Sequence, residues 1–170
     1  DTPSTPYFAG SELSGWYPFA AALGSGGTWT ASADHKTEGV AALKLVNSTL
    51  VTGDTTYYIN GVVASEDGGG GTSLNLSGYS ALTGYIYIET LDASDTVSVF
   101  IFTNSNYGGD QSDTVQQDFT GSGLKPFSLS TLGLIDPAHV DFYVMVGDTA
   151  SSYLASASSI IHVDQLEGAP

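Results

Sequence analysis

Apolar residues in this chain recur at alternate positions. In Tyr85-Ile-Tyr-Ile-Glu89 the two isoleucines point to one face while Tyr85, Tyr87 and Glu89 point to the other, about 7 Å apart along an extended strand. The same period separates Val97, Val99 and Ile101 from Ser98, Phe100 and Phe102, and Phe142, Val144 and Val146 from Asp141, Tyr143 and Met145. Such runs, bounded by Gly, Ser, Asn and Asp, predict strands over 40–46, 56–63, 84–91, 96–103, 125–130, 140–147 and 159–166. Weaker strands are expected near 16–22 and 27–32. No window sustains the i, i+3, i+4, i+7 stripe of an amphipathic helix. Strands at this spacing, joined by glycine-rich loops such as the one over 67–72, predict an all-β fold: an antiparallel β-sandwich of jelly-roll type. The inner faces read as aliphatic. The outer faces carry rings where a solvated sheet would carry Lys, Glu and Thr.

The 170 residues suit one domain. Its expected limits are 7–167, preceded by a Pro/Thr/Ser linker remnant over 1–6 and followed by a tail over 168–170. There is no cysteine, so neither a disulfide framework nor a thiolate zinc site is possible. Three lysines and no arginine face eighteen acidic residues, a formal net charge of −15. That balance excludes a phosphate-tracking nucleic-acid surface and argues against anionic lipid or polyanionic glycans as partners. With 41% hydrophobic and only 12% charged residues the chain is nevertheless composed to fold. No apolar run approaches the roughly 18 residues of a membrane span. No leader pattern opens the chain, so any secretion signal is expected to have been removed or to lie outside it.

Catalytic patterns are weak. Eighteen acids make some closely spaced pair almost inevitable, so carboxylate pairing carries little weight. His35, His139 and His162 show no zinc or triad spacing, and no Gly-x-Ser-x-Gly elbow is present. The run Gly68–Gly71 lacks the lysine of a phosphate loop. His162, two residues from Asp164, is expected to be a hydrogen-bonded structural histidine. The chain reads as a non-enzyme.

Three segments carry a resemblance. The entry Phe8-Ala-Gly-Ser-Glu12-Leu-Ser-Gly-Trp16 is followed by Glu38-Gly-Val-Ala-Ala-Leu-Lys-Leu45. Leu74-Asn-Leu-Ser-Gly-Tyr-Ser-Ala-Leu82 leads into the strand at Tyr85, and Ile160-Ile-His-Val-Asp164-Gln-Leu166 closes the chain. Together they resemble the jelly-roll carbohydrate-binding modules appended to secreted polysaccharide-degrading enzymes. The resemblance implies a structural calcium with Glu12 and Asp164 as side-chain ligands and carbonyls of the 34–39 loop, among them Lys36 and Glu38, completing the shell. Calcium takes six to eight hard oxygens, so such a mixture is chemically sensible. It also implies a secreted or cell-surface module of a larger multidomain enzyme.

Sugar rings present apolar C–H faces, which flat aromatic side chains match at little rotamer cost, while neighbouring polar groups satisfy hydroxyls. Tyr85, Tyr87 and Glu89 fit that recipe, as do Tyr58 with Asn60, and Asn104, Asn106 and Tyr107 in the following loop. Tyr143 is a further candidate, and Trp29 in its glycine-rich setting could be a stacking platform; Trp16 reads as structural. The competing reading buries these tyrosines beneath a loop or the second sheet. The expected function is binding of a neutral polysaccharide on an aromatic-lined face. The alternatives are a structural or adhesive cell-surface sandwich and a small polysaccharide-active enzyme.

Overall fold

A computed structural model describes residues 17–19, 27–35, 42–47, 59–64, 74–93, 95–104, 107, 113–148 and 159–170. They form ten strands: β1 (Tyr17–Phe19), β2 (Gly27–Ser32), β3 (Ala42–Asn47), β4 (Ile59–Ala64), β5 (Ala81–Thr90), β6 (Asp95–Thr103), β7 (Val115–Phe119), β8 (Gly123–Ser130), β9 (Val140–Asp148) and β10 (Ser159–Ala169). Two five-stranded sheets result, one ordered β2-β3-β10-β5-β8 (sheet A) and the other β1-β4-β9-β6-β7 (sheet B). Every pairing is antiparallel. Only β2–β3 and β6–β7 follow one another within a sheet; every other connection changes sheet, as a sandwich of this type requires. No α-helix occurs among the described residues.

The alternation read from the sequence is the alternation of burial. Ile86, Ile88, Val97, Val99, Ile101, Phe142, Val144 and Val146 are fully buried, with Leu45 and Ile161 beside them. Phe127 of β8 and Phe142 of β9 stack across the interior at 5.8 Å between ring centroids, joining the two sheets. Covering these side chains is the main favourable term in folding, at about 1.5–3 kcal/mol for each large one.

Two features depart from expectation. Val115-Gln-Gln-Asp-Phe119 was not expected as a strand, yet it forms β7 at the edge of sheet B. An edge strand needs little apolar content, and among the described residues its amides pair with β6 on one side only. The second concerns the end of the chain. Residues 168–170 are not a tail: Gly168 and Ala169 pair with Leu82 and Ala81, and Ser80 Oγ donates to the Pro170 carbonyl at 2.6 Å. The expected break after Glu167 fails because a bulge lies earlier. Between Asp164 and Glu167 the register with β5 shifts, and Gln165 adopts φ 55° while its amide donates to Asp164 Oδ1 at 2.8 Å. The shift returns Leu166 to the core and lets the strand continue.

Candidate functional site

Each sheet turns its outer face away from the core, and each face gathers a different set of side chains. On sheet B, Phe100 and Phe102 follow one another on one face of β6, and Tyr143 of β9 pairs with Phe100. The Phe100 and Tyr143 rings lie 5.1 Å apart and 8° from parallel; Phe102 and Tyr143 lie 4.9 Å apart at 25°. All three are partly exposed. On the β7 flank Gln116 pairs with Phe100, and its amide donates to Asp118 Oδ1 at 2.7 Å.

The end of this aromatic row is polar and built. Asp141, opposite Phe102, is 2% exposed, and its Oδ2 accepts from Asn104 Nδ2 at 3.0 Å. Asn104 is itself fully buried and donates its backbone N–H to the His139 carbonyl. Tyr107 stacks on the His139 ring at 3.5 Å and 5°. His139 Nδ1 meets Asp136 Oδ2 at 2.9 Å, and this bond, with the Ala138 amide, holds the Asp136 carboxyl below the usual range.

Sheet A has a different surface. Lys44 of β3, His162 of β10, Tyr87 of β5 and Leu124 of β8 are successive cross-strand partners, as are Asp164, Tyr85 and Pro126 in the next row. His162 is 1% exposed and its Nε2 lies 2.9 Å from Glu89 Oε2. Burial pushes the His162 imidazole down from its ordinary value, and the hydrogen bond from His162 lowers the Glu89 carboxyl. His35, in the connection after β2, lays its ring on Tyr87 at 3.8 Å and 14°, and its Nε2 stands 3.9 Å from the same Glu89 oxygen. Lys44 Nζ is engaged by Asp34 at 3.5 Å.

The structure therefore divides the residues singled out in the sequence. Tyr85, Tyr87 and Glu89 lie on sheet A, whereas Tyr143, with Asn104 and Tyr107 at its end, belongs to sheet B, on the opposite side of the sandwich. A single face carrying all of them is not what this topology builds, because β5 and β9 belong to different sheets. Asn60 is in β4, and Trp29 is in β2 opposite Leu45. Tyr58 and Asn106, Trp16, and the expected calcium ligands Glu12, Lys36 and Glu38 lie outside the described residues. Asp164 is described: the residue is 5% exposed, on the outer face of sheet A. Sequence reasoning placed Phe100 and Phe102 outward but did not count them as binding residues. Their signal was present, since two phenylalanines at i and i+2 opposite Val97, Val99 and Ile101 cannot all share one core. The approach of His35 to Glu89 and His162 had no sequence signal.

No protein-family model matches the chain, and no curated protein matches it in sequence. Solved structures do match in fold. A carbohydrate-binding module of the β-sandwich superfamily superposes with a TM-score of 0.57 at 12% identity, over 97% of this chain and 61% of its own length. The C-terminal family 22 carbohydrate-binding module of Clostridium thermocellum Xyn10B superposes with a TM-score of 0.53 at 11% identity, over 99% and 96% of the two chains. An exo-β-agarase matches with a TM-score of 0.58 at 9% identity; the chain spans 25% of that enzyme's length. The fold is thus the antiparallel β-sandwich found in carbohydrate-binding modules of several families.

Proposed function

We propose that this chain is a non-catalytic carbohydrate-binding module that holds a neutral polysaccharide on the outer face of sheet B. The observation that carries the reading is the contiguous, partly exposed set Phe100, Phe102 and Tyr143, ending at the hydrogen-bonded pair Asn104 and Asp141. Adjacent exposed rings with a polar border mark interaction surfaces. Rings supply apolar area to sugar C–H faces, and the exposed Gln116 amide and Asp118 carboxylate beside them on β7 offer a donor and acceptors to hydroxyls, while the buried Asn104–Asp141 pair fixes the end of the row. The sheet A face supports the reading less well. There Tyr87 already stacks on His35, and Glu89 is engaged by His162.

A net charge of −15 opposes polyanionic glycans, which favours a neutral chain. The module would serve a secreted or cell-surface parent protein by keeping an attached enzyme at high effective concentration on its substrate. A structural calcium near Asp164 belongs to the same reading. The Asp164 carboxylate, which already accepts the Gln165 amide, is a hard oxygen donor of the kind that ion takes.

Native affinity electrophoresis through gels containing soluble neutral and anionic polysaccharides tests this. Selective retardation by a neutral glycan is expected. Phe100→Ala and Tyr143→Ala should each weaken it about tenfold or more, the size of an anchoring aromatic contact. Undiminished retardation of both folded variants would remove this face. No retardation of the folded wild type by any glycan would favour a structural or adhesive sandwich instead.

A further inference from the structure

We propose that His35, Glu89 and His162 form a binding site for a divalent transition ion of the zinc class, which ties the β2–β3 connection to the middle of sheet A. One donor atom from each residue lies within 4.8 Å of the other two. His162 Nε2 is 2.9 Å and His35 Nε2 3.9 Å from Glu89 Oε2. Tetrahedral zinc with nitrogen and oxygen bonds of about 2.0–2.2 Å holds its ligands roughly 3.3–3.5 Å apart. The two separations to the Glu89 oxygen bracket that spacing, the three donor atoms as a set span up to 4.8 Å, and the residue that must move most to close it is His35, whose side chain is 38% exposed.

The donor set selects the ion. Two imidazole nitrogens and one carboxylate suit zinc, copper, nickel or cobalt; calcium and magnesium want oxygen throughout. This site is therefore chemically distinct from a calcium site built on Glu12 and Asp164. A structural hydrogen bond would need only His162 and Glu89. His35 is a third group aimed at the same oxygen, and it is held there by stacking on Tyr87 and by an edge contact with His162 at 4.9 Å. It keeps this position from a backbone at φ 52°, a region that non-glycine residues seldom occupy.

The electrostatics are compatible. His162 Nε2 already faces the Glu89 carboxylate, the position from which an imidazole nitrogen and a carboxylate oxygen would share one ion. The nearby Lys44 ammonium is already neutralised by Asp34. Three protein ligands leave a coordination position open toward solvent, since the Glu89 side chain is 36% exposed. The outer shell sets the affinity. A metal on Nε2 places the remaining proton on Nδ1, and among the described residues His162 Nδ1 has no hydrogen-bond partner. Binding about 10–100-fold weaker than that of a fully supported site is therefore expected.

The test is calorimetric titration of the chelator-stripped chain with Zn²⁺ in excess Ca²⁺, followed by Co²⁺ loading and visible absorption. One equivalent of Zn²⁺ and the intense visible bands of low-coordinate cobalt are expected. His35→Ala and Glu89→Gln change exposed side chains, so both should fold, as circular dichroism will check; each should weaken Zn²⁺ by at least about tenfold. His139→Ala, in the turn leading into β9 of sheet B, should bind as wild type. Absence of Zn²⁺ and Co²⁺ binding in the folded wild type would overturn the proposal. So would unchanged affinity in His35→Ala and Glu89→Gln. Glycan retardation does not enter this experiment, so either reading can fail alone.

Discussion

Asp136 shows how a single side chain sets a pH response. Its Oδ1 accepts the Ala138 N–H at 2.9 Å and its Oδ2 meets His139 Nδ1 at 2.9 Å, which together fasten the turn leading into β9. His139 first, then the Ala138 amide, lower the Asp136 carboxyl from its ordinary 3.8. A carboxyl depressed in the folded state contributes stability that is complete above its unfolded value. The contribution is lost as pH falls through the lower, folded value. Asp136→Asn should therefore melt below wild type at pH 5–7, with the gap closing under about pH 3.8. Melting temperature against pH for both proteins checks this; a constant gap down to pH 2 would contradict it. The sequence places Asp136 and His139 three apart, across Pro137 and Ala138, in an otherwise largely apolar connection. Their partnership needed the turn geometry.

At the level of elements, the central pair β5–β10 is packed to the point where a methyl group matters. A Cβ at Gly84 would stand 2.6 Å from Phe127 Cζ and 3.0 Å from Leu166 Cδ2; one at Gly168 would stand 2.6 Å from the Tyr79 ring. Gly84→Ala and Gly168→Ala should each cost about 1–3 kcal/mol, or roughly 2–4 °C of Tm per kcal/mol in a domain of this size. Thermal denaturation reads the effect, and a neutral substitution at both would mean the packing relaxes freely. Most strands were legible because side-chain direction in a strand is a local, period-two property. The exceptions have physical causes. Strand β7 is an edge whose pairing asks for few apolar residues, and β10 outran its expected end through a bulge with a non-glycine positive φ. A bulge is set by what packs against the strand, which no local pattern records.

For the whole molecule, a net charge of −15 works against compactness, and bound cations would relieve part of that repulsion. If calcium binds near Asp164 as proposed, adding Ca²⁺ at about 100 times its dissociation constant should stabilise by about 2.7 kcal/mol, roughly 5–10 °C in Tm. Asp164→Asn should lose that response while keeping the Zn²⁺ response. A wild-type Tm indifferent to Ca²⁺ after chelator treatment would end the calcium reading.

Local chemistry already decided the fold class and the inward aliphatic and outward aromatic faces. Each follows from residue type and alternation along a few neighbouring positions. Partnership belonged to the tertiary structure. The strand order sends Tyr143 and Tyr87 to opposite sides of the sandwich, and it carries Glu89 to His162 across 73 residues of chain, where His35 arrives from a third connection. Spacing along the chain could not show this, because contact between distant strands depends on which sheet each one joins.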